Sequence, residues 1–231
     1  MGIGELRERS LHAQLKEWYA NPRDRVEVPV DGYVIDLVRR GTLIEIQTRN
    51  FWAMKTKLES LLPHHRLRLV HPIAQEKWIV TTDAAGEVLR RTRSPKRGGY
   101  LDLFRELVRL PTIVDHPNLA LEALLVKVVE LRCSDGNGSW RRKGVSVRDT
   151  QLLEVRAIRR FRRGADLAAL LPRALGELFT NATLATTCHI HPSLASKATY
   201  TLRRLGALRV AGKAGRAHLF QRVSPGERTD S

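Results

Sequence analysis

The apolar residues of the N-terminal part recur at spacings that predict a helix followed by a two-stranded hairpin. Residues 4–20 have helical spacing, and Asn21-Pro22 ends that pattern. Residues 25–38 and 42–48 are rich in residue types that favour strands, and Arg39-Arg40-Gly41 between them carries the glycine that suits a short turn. We therefore expect an amphipathic opening helix and then two antiparallel strands.

Further elements are predicted up to residue 110. Helical spacing returns over residues 51–62 and ends at Pro63. The elements that follow are two strands (66–72 and 77–82), a basic loop (90–97) and a closing helix (100–110). The order helix, strand, strand, helix, strand, strand predicts a compact α/β domain over residues 1–110.

The middle of the chain predicts a linker subdomain with a basic hairpin over residues 111–164. It contains an aliphatic stretch at 119–132 that we interpret as a helix, a turn-rich segment at 134–138 and a strand at 152–161. A basic run, Trp140-Arg141-Arg142-Lys143, follows the turns.

The C-terminal part predicts a winged helix-turn-helix over residues 165–223. Asp166 and Thr180 are placed to cap two short helices, and Pro192-Ser193 opens a third helix that Gly206 ends. Two strands around the tip 212–216 complete three helices and a hairpin. We expect residues 224–231 to be a disordered tail. The whole chain thus belongs to the mixed α/β or α+β class.

The net charge of the chain indicates the kind of partner that it binds. The 231 residues include 40 Lys and Arg against 24 Asp and Glu, which gives a net charge of +16. So basic a chain tends to bind a polyanion, and its apolar runs are too short to span a membrane. With two cysteines and no apolar signal segment at the N-terminus, we expect a cytoplasmic, nucleoid-associated protein.

The first candidate chemistry lies on the predicted hairpin. If the chain turns at Arg40 and Gly41, Asp36 lies opposite Glu45, and the two-residue period places Gln47 on the same face as Glu45. Two close carboxylates repel each other unless a cation lies between them, and hard oxygen ligands suit Mg²⁺. The apolar residues of the other face are Ile35, Leu37, Ile44 and Ile46.

This order of elements, with Asp36 and Glu45-Ile-Gln47, resembles the PD-(D/E)XK (restriction-endonuclease-like) nuclease superfamily over residues 4–82. The resemblance implies an αββαββ core in which Asp36 and Glu45 hold Mg²⁺ or Mn²⁺ and Glu8 is an accessory carboxylate. Gln47 occupies the usual place of a lysine. An amide cannot act as a cation or supply a proton, so either Gln47 orients water, or Lys55 or Lys57 reaches the site. Segments 94–97 and 138–144 also resemble uncharacterised bacterial proteins.

The second candidate chemistry is a DNA-binding surface. The sequence has no acidic residue between Glu177 and Glu227. We expect the third C-terminal helix to lie in the major groove and the hairpin tip to contact phosphates. The expected contact residues are Ser193, Ser196, Lys197, Tyr200, Arg203, Arg204, Lys213 and Arg216, together with Arg141, Arg142 and Lys143 of the basic run.

Two functions from different classes follow. One is a Mg²⁺-dependent endonuclease that cleaves double-stranded DNA in a defence, mobile-element or repair system. The alternative is a non-catalytic DNA-binding regulator or assembly factor that keeps the nuclease-like scaffold, which Gln47 favours. RNA stays a third possibility, because basic patches do not separate RNA from DNA. A homodimer or a protein partner is compatible with each function.

Overall fold

Strands and short helices alternate along the chain in the computed structural model, which describes residues 10–138, 140 and 144–223. The helices are α1 (Ser10–Tyr19), α2 (Lys55–Leu61), α3 (Phe104–Leu107), α4 (Gly164–Ala168), α5 (Asn181–Thr187) and α6 (Pro192–Arg204). The strands are β1 (Arg25–Val30), β2 (Tyr33–Arg39), β3 (Thr42–Ile46), β4 (Arg66–Thr82), β5 (Val88–Arg93), β6 (Leu119–Ser134), β7 (Val145–Phe161), β8 (Leu178–Phe179), β9 (Leu208–Ala214) and β10 (Ala217–Arg222). The predicted mixed α/β class is confirmed.

The strands form two sheets. The larger sheet has seven strands in the order β1-β2-β3-β4-β6-β7, with β5 paired to β4, and the smaller has the order β8-β10-β9. The chain divides into two compact units, each made of separate segments. The first unit comprises residues up to 48 together with 70–99 and 123–159, and the second comprises 49–69, 100–122 and the residues from 160 onward. The predicted domain boundaries, which divide the chain consecutively, stay a prediction.

Two tight turns shape the start of the first unit. Arg40 and Gly41 both have positive φ, 48° and 77°, as the predicted turn between β2 and β3 requires. Asp31 and Gly32 form a second turn of this kind, with φ of 48° and 81°. The predicted strand over residues 25–38 is therefore two antiparallel strands, because the Asp-Gly pair folds it into a hairpin.

The core of the first unit lies between α1 and the sheet. The expected inward-facing residues of the β2–β3 hairpin are buried, and three of them contact Leu15 and Tyr19 of α1 within one apolar cluster. Arg39 fastens α1 to the hairpin, since its guanidinium donates to the Asp24 carboxylate at 2.6 Å and to the Tyr19 carbonyl at 2.6 Å. The Gln14 side chain accepts from the backbone N–H of Leu152 in β7 at 2.7 Å.

Three predicted elements of the larger sheet are wrong. The predicted helix over residues 119–132 is strand β6, which is buried on both faces over most of its length. A strand buried on both faces is a continuous apolar run, which periodicity alone cannot distinguish from a helix. The predicted basic loop at 90–97 begins as strand β5, whose exposed arginines suit a sheet edge.

The third error concerns Pro72, which we expected to end a strand. β4 instead runs through it as one strand of 17 residues. Its partners change along its length: the Val70 carbonyl accepts from Gln47 N–H at 2.9 Å, whereas Trp78 and the residues after it pair with β5. Pro72 lies between those two paired stretches, where the missing N–H is tolerated.

The C-terminal elements of the second unit match their prediction closely. The Thr180 hydroxyl accepts from Thr183 N–H at 3.1 Å and caps α5, and Gly206 ends α6 with φ of 64°. Asp166 is a correction: α4 begins earlier than predicted, and the Asp166 carboxylate accepts from the N–H of Arg162 at 2.7 Å. The predicted inward-facing residues of α6 are buried: Leu194, Ala198, Leu202 and Leu205. The predicted disordered tail lies outside the described residues.

Buried aromatic and aliphatic side chains hold this second unit together. The Tyr100 and Phe161 rings meet nearly edge to face at 6.2 Å, and Phe179 of β8 lies 6.1 Å from Phe220 of β10. Gly164 opens α4 where a Cβ would lie 2.9 Å from the Cβ of Leu205, so glycine permits this close approach. Within the described ranges, no helix has the length and apolar character needed to cross a membrane.

Candidate active site and nucleic-acid interface

Asp36 is held in place at the end of the β2–β3 ladder. The paired positions of the hairpin run from Arg39 and Thr42 to Leu37 and Ile44. Beyond them, Asp36 Oδ2 accepts from the Ile46 backbone N–H at 2.8 Å and lies 3.2 Å from His12 Nε2 on α1. The bond to Ile46 places the carboxylate beside residues 45–47. The Asp36 side chain is 17% exposed and is therefore largely sheltered from solvent.

The surroundings of Asp36 favour its charged form. Burial raises the pKa of this carboxyl. Hydrogen bonds from His12 and from Ile46 N–H, with the charges of His12 and Lys16, together lower that pKa by more than burial raises it. The net effect is a pKa below the ordinary value of 3.8. Asp36 is therefore ionised near neutral pH, as a ligand for a cation must be.

Glu45 and Gln47 flank the residue that binds Asp36. Glu45 on β3 is buried, at 6% exposure, and Gln47 is half-buried just after the strand. The Gln47 carbonyl oxygen is 2.7 Å from His71 Nδ1, so this nitrogen carries the proton and donates. The structure thus brings Asp36 close to the segment that contains Glu45 and Gln47.

Two further residues of this site are not among those predicted from the sequence. His12 and Lys16 of α1 both act on Asp36, and Lys16 Nζ also donates to Glu27 at 2.7 Å. They are four residues apart, which places them on one helix face. Two basic residues at that spacing on the predicted opening helix were the signal that could have identified them.

The remaining predicted site residues fall elsewhere. Lys57 lies on α2 in the second unit, and its approach to Asp36 stays a prediction. Glu8 lies outside the described residues, as do Arg141, Arg142 and Lys143. Over residues 10–138, 140 and 144–223, no three His, Cys, Asp or Glu side chains gather closely enough to hold a metal ion.

The predicted DNA-binding residues of the C-terminal part lie on two elements. On α6, Ser193, Ser196 and Tyr200 are exposed and Lys197 is half-buried. Arg203 and Arg204 are exposed at the end of the helix, and Lys213 and Arg216 are exposed at the tip of the β9–β10 hairpin. The His191 ring caps α6, accepting from Ser193 N–H at 3.2 Å.

Other basic residues of this region have structural partners. Arg222 donates to the Pro172 carbonyl at 2.7 Å, and Arg209 donates to Gln221 at 3.0 Å. No acidic residue lies between Glu177 and Glu227 to neutralise the exposed cations of α6 and the hairpin within their own segment. This surface therefore carries a positive potential.

Comparison with known proteins adds a family. Residues 9–162 match a family model described as a domain of unknown function, DUF8091. The chain belongs to the DUF8091 family. The matched residues include the Asp36 site and end just after β7, before α4. The DUF8091 chain is also 32% identical over 229 residues to an uncharacterized protein of Treponema pallidum (strain Nichols), covering 98% of this chain and 90% of that protein. No solved structure matches this DUF8091 chain.

Proposed function

We propose that residues 164–223 are a winged helix-turn-helix that binds double-stranded DNA. The observation that carries this proposal is the order of elements, α4, β8, α5, α6, β9 and β10, with the strands in the sheet order β8-β10-β9. That order gives a helical pair followed by a hairpin wing. The exposed cations lie on the second helix of the pair, α6, and on the wing tip.

The two elements have different parts in binding. α6 enters the major groove, where Ser193, Ser196, Lys197 and Tyr200 reach base edges. Lys213 and Arg216 of the wing contact phosphates, which fixes orientation without reading sequence. Arg203 and Arg204 supply further charge at the end of α6.

Wing variants test this proposal through the salt dependence of duplex binding. Changing Lys213→Ala and Arg216→Ala together should flatten the slope of log K against log salt by about 1.8 units, because each phosphate contact contributes about 0.9. Lys197→Ala or Tyr200→Ala should instead reduce discrimination between duplex sequences. Fluorescence anisotropy at several salt concentrations measures both effects.

The matched control is Arg66→Ala with Arg109→Ala, two exposed arginines of the same unit. It removes the same charge and should leave the slope unchanged. Equal slopes for the wing variant and for this control would exclude the wing as a DNA contact.

A second candidate function, metal-dependent hydrolysis of phosphodiester bonds in DNA, is favoured by the Asp36 site. Asp36 and Glu45 supply carboxylate oxygens, which are the ligands that Mg²⁺ and Mn²⁺ prefer, and Asp36 is held ionised. The chemistry of these two donors suits such an ion, although the described residues place no third His, Cys, Asp or Glu ligand beside them. The resemblance adds Glu8 as an accessory carboxylate.

The residues of the chain would divide the work around that ion. Asp36 and Glu45 would hold it, with His12 and Ile46 N–H fixing the orientation of Asp36. A bound divalent cation lowers the pKa of water and stabilises charge at phosphorus. The Gln47 amide would orient the attacking water.

Plasmid cleavage tests this second function. With Mg²⁺ or Mn²⁺ the protein should nick or linearise plasmid DNA, and Asp36→Asn or Glu45→Gln should lower the rate at least about 100-fold by removing a ligand charge. Isosteric variants are preferable to alanine because Asp36 also bonds Ile46 N–H. Glu87→Gln, an exposed residue of the same unit, is the control.

The alternative to a nuclease is a non-catalytic DNA-binding protein that keeps the same scaffold. Gln47 in the lysine position favours it, as does the pairing of Asp36 with His12. Duplex binding without cleavage under any divalent ion would support a DNA-binding regulator or assembly factor. Cleavage of RNA and not of DNA would support the RNA alternative.

A further inference from the structure

A single buried carboxylate gathers cations from three other strands of the first unit. Glu76 of β4 accepts from Arg93 of β5 at 2.7 Å and from Arg156 of β7 at 3.1 Å, and Lys127 Nζ of β6 lies 3.6 Å away. The indole N–H of Trp78 donates to the same carboxylate at 2.9 Å. We call the following residues the Glu76 cluster: Glu76, Trp78, Arg91, Arg93, Lys127 and Arg156.

Arg91 joins the cluster through Trp78. Its guanidinium carbon lies 5.0 Å from the centroid of the indole ring, a cation–π contact. Trp78 pairs with Arg93, and Val80 pairs with Arg91, so these two arginines project from the same face of the sheet. Arg91 and Arg93 therefore lie on one face of β5, where Arg91 stacks on Trp78 and Arg93 binds Glu76.

Burial and charge are unevenly distributed in the cluster. The Glu76 side chain is 9% exposed, whereas those of Arg93, Arg156 and Lys127 are 47%, 31% and 30% exposed. Glu154, paired with Arg156 at 3.2 Å, is the second carboxylate at this site. Among the described residues, the four cations of the cluster outnumber these two carboxylates, so a positive surplus remains on accessible groups.

We propose that the Glu76 cluster binds the phosphates of a nucleic acid strand. Guanidinium groups recognise phosphate oxygens through paired N–H donors, and anchoring by Glu76 orients them before the ligand arrives. The contact is independent of base sequence, because backbone phosphates are the same at every position. The choice of ligand rests on the DNA binding proposed above, but the site does not depend on the winged helix.

Neutral substitutions on β5 test the cluster in the full chain. Arg91→Gln with Arg93→Gln should flatten the slope of log K against log salt for a duplex by about 1.8 units. Arg156→Gln, on a different strand, should flatten it by about 0.9 units. Single-stranded DNA of the same length, assayed in parallel, shows which strand form the cluster prefers, and a change on either form supports the proposal.

The control is Arg90→Gln with Lys96→Gln, which removes equal charge from exposed positions of the same segment. Arg90 pairs with Thr81, one position along from Val80, and so projects from the opposite face of β5. Slopes equal to the control on both strand forms, in variants whose circular dichroism is native, would overturn the proposal. If the wing variants have no effect and the cluster variants do, the winged-helix proposal fails and this one stands.

Discussion

Glu76 is the residue whose charge depends most clearly on its neighbours. Hydrogen bonds from Trp78 and Arg156, with the charges of Arg93 and Arg156, outweigh burial and lower its pKa to about 2 from an ordinary value of 4.5. The folded protein therefore binds Glu76's proton less readily than the unfolded chain does. This group contributes stability above pH 4.5 that is lost as the pH falls toward 2.

Glu76→Gln should reduce the pH dependence of unfolding in that acidic window. The wild-type chain takes up as much as about one additional proton at this residue on unfolding, and the variant takes up none. Chemical denaturation at pH values between 2 and 5 measures the change in slope. Glu59→Gln, an exposed residue paired with Lys55, should leave the slope nearly unchanged, since exposed ion pairs contribute little. An identical slope in wild type and Glu76→Gln would contradict the assigned cause.

At the scale of single elements, local sequence is sufficient where a turn or cap has its own residue signature. Arg40-Gly41, Thr180 and Gly206 each act as predicted, because their conformations depend on neighbours in the chain. β6 and β5 could not be predicted in this way. Their state is decided by pairing with strands that are distant in sequence, and β6 carries no alternation since both of its faces are buried.

The same distinction applies to the candidate site. Asp36 and Glu45 could be found because a short turn fixes their positions on one hairpin. The contact of His12 with Asp36 spans 24 positions of sequence and depends on how α1 packs against the sheet. The Glu76 cluster joins four strands, and no spacing along the chain indicates it.

The strand assignment of β6 predicts a large difference between two leucine substitutions. Leu124→Ala should destabilise the protein by about 2–5 kcal/mol, because Leu124 is fully buried in the core cluster and its truncation leaves a cavity. Leu153→Ala on β7, where the leucine is 49% exposed, should cost less than about 1 kcal/mol. Urea denaturation of both variants measures the difference, and equal losses would argue against this placement of β6.

At the scale of the whole molecule, the first unit is assembled from three separated stretches of chain. Residues up to 48, 70–99 and 123–159 contribute to it, and the family match ends just beyond the last stretch. The backbone of Leu152 donates to Gln14, a contact between residues 138 positions apart. Local sequence patterns do not contain such contacts, so they divide the chain into consecutive predicted domains.

This discontinuity has a consequence for biosynthesis. α1 and the first hairpin cannot complete their packing until residue 159 has left the ribosome, since the third stretch supplies β7 and much of β6. β3 ends at residue 46, which is 113 positions before residue 159. At about 5–20 residues per second, the nascent chain therefore spends roughly 6–23 s with those apolar faces uncovered. Pairing of strands so far apart also gives a high contact order, which slows folding after release. The exposed arginines of the edge strand β5, which is synthesised before residue 159, disfavour strand pairing with other chains during that time.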